Sequence, residues 1–147
     1  MYYIDQSSIL RDIYSTNYGV SWIRGKLGEK KVKPVSGSGV AAITYSAREP
    51  AIECIHVFYQ LEGECAHPEH IICALKRLPE RETHVLKELI YNGTTWGDGE
   101  LACDLAIAGT KLTAVTPRIG NHNEIYLYYQ YPPSFNMASY DGRKWDY

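Results

Sequence analysis

One pattern recurs along the chain and limits what it can fold into. Tyr91-Asn-Gly-Thr-Thr-Trp96 returns as Tyr140-Asp-Gly-Arg-Lys-Trp145, 49 residues later. Ile55-His-Val-Phe-Tyr-Gln60 returns within Glu124-Ile-Tyr-Leu-Tyr-Tyr-Gln130, and Val40-Ala-Ala-Ile-Thr44 returns within Lys111-Leu-Thr-Ala-Val-Thr116. Trp96-x-x-Gly99-x-Leu101 is anticipated by Trp22-x-x-Gly25-x-Leu27, and Leu86-Lys-Glu88 by Leu10-Arg-Asp12. The conserved spacing joins short runs of β-branched and aromatic residues through Asn-Gly or Asp-Gly turns, the signature of consecutive hairpins.

The stretch from Gly39 to Leu101 holds one complete unit. Its strands are expected at 39–45, 55–60, 85–91 and 96–101. An insertion from Leu61 to His84 interrupts it. Pro lies early in His67-Pro-Glu-His-Ile-Ile-Cys-Ala-Leu-Lys-Arg-Leu78, and Ile71, Ile72, Leu75 and Leu78 follow helical spacing, so one short helix ending at Pro79 is expected there. A repeat of about 50 residues built from four strands reads as a β-propeller blade.

The fold class is therefore all-β: propeller blades of four short antiparallel strands, about two and three-quarters of them, with one short helical insertion. Residues 1–30 form a blade lacking its first strand. Residues 31–102 form a full blade containing the insertion, and residues 103–147 form a blade ending at or within its last strand. Closed propellers have about four or more blades. The expectation is a homo-oligomer that closes the ring or a portion of a longer polypeptide.

Composition agrees with a polar-ligand surface. The 147 residues include 13 Tyr and 3 Trp against 2 Phe. Tyr and Trp join an apolar ring to a polar tip. A net charge of -2, with no basic stripe, argues against nucleic acid and anionic membranes as partners. No stretch approaches the roughly 18 apolar residues of a membrane span, and Met1-Tyr-Tyr-Ile-Asp-Gln6 is not a signal peptide. The localisation read from this is cytoplasmic or leaderless secretion. Without an export signal, reduced thiols are expected for the four Cys, and Asn92-Gly-Thr94 is read as a turn rather than a glycosylation site.

No nucleophile constellation or phosphate-cradling loop is present, so no catalytic residue and no cofactor is assigned. Ser36-Gly-Ser-Gly39 precedes a strand rather than a helix. Cys65, His67, His70 and Cys73 are weak metal-ligand candidates, because their spacing matches no standard zinc pattern and capping by this segment is the plainer reading.

The motifs resemble the fungal fucose-specific lectins, six-bladed propellers of the orange-peel mushroom lectin type. The resemblance rests on Val40-Ala-Ala-Ile-Thr-Tyr45, Ile55-His-Val-Phe-Tyr-Gln60, Leu86-Lys-Glu-Leu-Ile-Tyr-Asn-Gly-Thr-Thr-Trp96 and Gly99. It implies a non-catalytic carbohydrate-binding protein that takes fucose or a related sugar between adjacent blades and needs no calcium. An Arg, a Glu and an aromatic residue of the next blade hold the sugar in that family.

Carried over, one site has His56 at the Arg position, Glu88 at the Glu position and Trp145 as the aromatic. A second has Asp12 and Trp96, its Arg position falling before Met1. In the third, Tyr126 and Met137 replace Arg and Glu, and that site is read as lost. As rival readings, Glu88 on a strand is by default a solvated residue, His56 a hydrogen-bonded inward histidine, and the three Trp packing residues between blades. The alternative functions are a lectin scaffold whose pocket is reused, as in pericyclase-like enzymes of natural-product synthesis, and a truncated product without independent activity.

Overall fold

A computed structural model describes residues 1–46, 53–62, 84–131 and 133–147. The described chain is all-β apart from one 3-10 turn at Leu27–Lys30. The segment expected to be helical lies outside the described residues.

The middle of the chain forms the four-stranded unit read from the sequence: β4 (Ala41–Ser46), β5 (Glu53–Glu62), β6 (His84–Tyr91) and β7 (Trp96–Ala106), paired in that order and antiparallel throughout. Leu61, Glu62 and His84, assigned above to the insertion, are ladder residues, with Leu61 opposite Val85 and Glu62 opposite His84. The downstream unit has the same plan in β8 (Thr113–Val115), β11 (Ile125–Tyr131), β12 (Ser134–Tyr140) and β13 (Trp145–Asp146). A small hairpin, β9 (Arg118–Ile119) and β10 (His122–Asn123), interrupts it and had no signal in the sequence beyond Gly120. Upstream, β1 (Tyr2–Ile4), β2 (Leu10–Tyr14) and β3 (Ile23–Arg24) make a three-stranded sheet.

The turns repeat atom for atom. Asn92 Oδ1 accepts the backbone N–H groups of Thr94 and Thr95 at 3.1 and 2.9 Å, and Asp141 Oδ1 accepts those of Arg143 and Lys144 at 2.8 and 2.9 Å. Gly93 and Gly142 follow at φ +87° and +91°, where side chains with a Cβ are strained. The two amide donors hold the Asp141 carboxyl below its ordinary range.

The middle sheet is buried on both faces, so the run His56–Gln60 in β5 is buried without a break. Successive side chains point to opposite faces. Val57 and Tyr59 pack towards the first sheet with Leu10, Leu27 and Leu89. Phe58 packs towards the third with Leu86, Leu101, Ile125, Leu127, Tyr129 and Trp145. In β11 one face is buried through Ile125, Leu127 and Tyr129, while Tyr128 on the other face is exposed.

A polar joint locks the middle and third sheets. Buried Gln60 donates from Nε2 to the Ile107 carbonyl at 2.7 Å and accepts from Gly109 N–H at 2.9 Å. Beside it Gly39 N–H donates to the Thr110 carbonyl at 3.0 Å. A Cβ on Gly39 would lie 2.7 Å from the backbone nitrogen of Leu112 and 3.1 Å from Lys111 Cα. Backbone atoms cannot swing aside, so Gly39→Ala is expected to cost about 1–3 kcal/mol, the scale of overpacking. A urea unfolding midpoint unchanged from wild type would reject the tightness of this joint.

Candidate functional site

The site is built where β5, β6 and the end of the third sheet meet. His56 on β5 and Glu88 on β6 lie two register positions apart on one face, since His56 pairs with Ile90 and Phe58 with Glu88. Their side chains meet: His56 Nδ1 lies 2.5 Å from Glu88 Oε1. Trp145 of β13 donates its indole N–H to Glu88 Oε2 at 3.3 Å. The family resemblance implied one site for these three, and the structure brings them together from positions 32 and 57 residues apart. All three are enclosed, with His56 4%, Glu88 3% and Trp145 9% exposed.

A bulge aims Glu88. On β7 the ladder steps from Ala102, opposite Lys87, directly to Asp98, opposite Leu89, so three residues of β7 face the single position of Glu88. Bulges commonly re-aim a side chain in this way. Gly99 lies within the bulge, and a Cβ there would stand 2.1 Å from Glu88 Oε2. The Trp-x-x-Gly motif thus has a local purpose: its glycine opens the space that the acid fills.

Sequence reasoning did not assign Tyr45. Its hydroxyl lies 3.1 Å from His56 Nε2, and its ring stacks on the imidazole at 5.4 Å between centroids and 27° between planes. A carboxylate only accepts, so Nδ1 of His56 donates to Glu88, and in the neutral ring Nε2 accepts from Tyr45. Burial, and then the neighbouring Cys54, Tyr140 and Glu88, push the Tyr45 hydroxyl up to about 12. The terminal Tyr of the Val40–Tyr45 motif was the available signal. Phe58 completes the wall, edge-on to Trp145 at 5.8 Å and 86°, and Tyr140 lies against the same indole at 5.3 Å.

Asp12 and Trp96 repeat part of this arrangement between the first and middle sheets. Asp12 is opposite Tyr2, and Trp96 meets Tyr2 edge-on at 6.3 Å and 86°. Asp12 lies over Gly25, where a Cβ would stand 1.9 Å from its oxygen, and accepts Leu27 N–H at 2.9 Å. Burial, and then Asp12, push the Tyr2 hydroxyl up to about 12. In the third sheet Tyr126 takes the register position of His56, and Met137 that of Glu88. The Tyr126 hydroxyl turns to Glu124, and that bond raises it above its ordinary range.

The weak metal candidates Cys65, His67, His70 and Cys73 lie outside the described residues. Among the described residues no three His, Cys, Asp or Glu gather to hold a metal.

The whole described architecture aligns with solved structures. A fucose lectin from Kordia zhangzhouensis in complex with methyl-fucoside matches with a TM-score of 0.66 and 18% identity, over 99% of this chain and 85% of that one. The chain has the fold of that lectin. AofleA from Arthrobotrys oligospora matches with a TM-score of 0.66 and 17% identity, and its variant with three arginines replaced by alanine with 0.70 and 18%. Both cover 99% of this chain, which spans only 36% and 37% of theirs. No family model matches the sequence, and no curated protein matches it. The blade-type all-β architecture read from the repeat is thus the architecture observed, and the lectin fold read from the motifs is the fold it shares.

Proposed function

We propose that this chain binds a neutral sugar of the fucose class, without chemical turnover, at the junction formed by His56, Glu88, Trp145 and Tyr45. The observation that carries this reading is the convergence of His56, Glu88 and Trp145 on one point between two sheets, in a fold shared with a lectin solved with methyl-fucoside. An ionised carboxylate offers about four acceptor sites. Glu88 uses one on each oxygen, the one to Trp145 at a long 3.3 Å. Sugar hydroxyls are donors that can reach the remaining sites by displacing the indole N–H, because Glu88 is only 3% exposed while the indole is seated, and an anionic group would meet the Glu88 charge. The indole and Tyr140 supply apolar contact for a sugar face. His56 is less available than an Arg fork would be, because both of its nitrogens are already engaged.

Glu88→Gln tests the reading. It keeps the size of the side chain and one oxygen, and replaces the other by an amide donor. Wild-type protein is expected to be retained on immobilised L-fucose and released by free L-fucose, with retention weakened at least about tenfold in the variant, the scale of a lost charge-assisted hydrogen bond. Absence of retention for folded wild-type protein, or equal retention of the two proteins, would overturn it.

A further inference from the structure

The three sheets present the same aromatic seat, and two of the seats are filled. In the middle sheet the seat is Phe58 opposite Glu88, in the first Tyr2 opposite Asp12, and in the third Tyr128 opposite Met137. Trp145 of the third sheet fills the middle seat, edge-on to Phe58 at 5.8 Å and 86°. Trp96 of the middle sheet fills the first, edge-on to Tyr2 at 6.3 Å and 86°. Each indole is backed by the Tyr across its own hairpin at 5.3 Å, Tyr140 in one case and Tyr91 in the other.

Among the described residues nothing covers the third seat. Tyr128 is 41% and Met137 43% exposed, where their counterparts Phe58 and Glu88 are 0% and 3%. The same face carries Val115, opposite Tyr126, and Phe135, opposite Gln130, both exposed. The first sheet holds the matching piece. Its register of Tyr14 with Ile23 places Trp22 where Trp96 and Trp145 stand in theirs. Trp22 is nevertheless 50% exposed, against 9% for Trp145, and Tyr14, Val20 and Ile23 around it are exposed too.

We propose that a second copy of this chain docks head to tail on the third sheet, its Trp22 seated on Tyr128 and Met137. The occupant is specified by the molecule itself: an exposed indole and an open seat, each at the repeat position where two internal contacts already form. Met137 in place of an acid makes the seat apolar, and a thioether packs favourably against an aromatic ring. The contact joins unlike surfaces, so it closes a ring when the rotation allows and leaves no exposed seat. The proposal stands apart from sugar binding and survives its failure.

Light scattering on this 147-residue chain over a dilution series tests it. The expected result is an integral multiple of 16.7 kDa that dissociates on dilution. Trp22→Ala and Met137→Lys are each expected to weaken association at least about tenfold, as for truncation of a central aromatic anchor. Mixing the two variants restores one intact contact, so the mixture is expected to associate more tightly than either alone. Both residues are half exposed in the single chain, and circular dichroism checks that each variant keeps its fold. A folded wild-type monomer throughout, whose seat then belongs to a further segment of a longer polypeptide, overturns the proposal. So does an oligomer indifferent to both substitutions, or a mixture no tighter than its parts.

Discussion

Phe58→Ala is expected to lower stability by about 3–5 kcal/mol, the range for removing a fully buried aromatic ring. Phe58 has no exposed surface and lies between two sheets. Its ring meets the Trp145 indole edge-on and lies near the His56 ring at 6.3 Å. The cavity would therefore open at a joint between repeats, beside the His56–Glu88 pair. Denaturant unfolding followed by Trp fluorescence reads the change. A loss below about 1 kcal/mol would mean that the two sheets do not depend on each other at this point.

Gly99→Ala is expected to cost about 3–5 kcal/mol, the scale of overpacking together with buried polar groups left without partners. Its Cβ would stand 2.1 Å from Glu88 Oε2 and 2.6 Å from Glu88 Cγ, so the whole carboxylate arm must leave. His56 Nδ1 and Trp145 Nε1 would then lose their acceptor inside a closed site. Gly25→Ala makes the same collision with Asp12 at 1.9 Å. Asp12 is only partly buried and can turn to water, so the expected cost is about 1–2 kcal/mol, near that of one lost backbone hydrogen bond. Equal losses in the two variants would show that burial of the acid does not set the energy. In the Gly99 variant, fucose retention is expected to fall with the stability.

The strands were legible because their chemistry is local. Short apolar and aromatic runs and the Asn-Gly and Asp-Gly turns mark β6–β7 and β12–β13 without reference to the rest of the chain. The recurrence of Trp96 and Trp145 at fixed distance from Glu88 and Met137 carried the register with it. What was not legible depends on contacts between sheets. Nothing near Glu88 in sequence announces that it will be 3% exposed, because the residues enclosing it arrive from β5 and from the far end of β13. The partnership of Tyr45 with His56 requires the β4–β5 register, which sets Tyr45 opposite Cys54 and Ile43 opposite His56. The 3-10 turn at Leu27–Lys30 follows from docking of Leu27, which is 1% exposed, rather than from any helical periodicity.

The Gln60 joint has a consequence for how far such a sequence can drift. One side-chain amide connects two repeats by gripping a carbonyl and an N–H of the main chain, at Ile107 and Gly109. Every amino acid supplies that carbonyl, and all but proline supply the N–H. The gripped segment is therefore recognised by its path and not by its side chains, and substitutions there pass unnoticed while the path holds. Selection on the connection falls on the gripping residue and on the glycines that let the path pass, Gly109 at φ +69° and Gly39 beside it. A scaffold assembled through such grips can replace most of its letters and still stack its repeats in register.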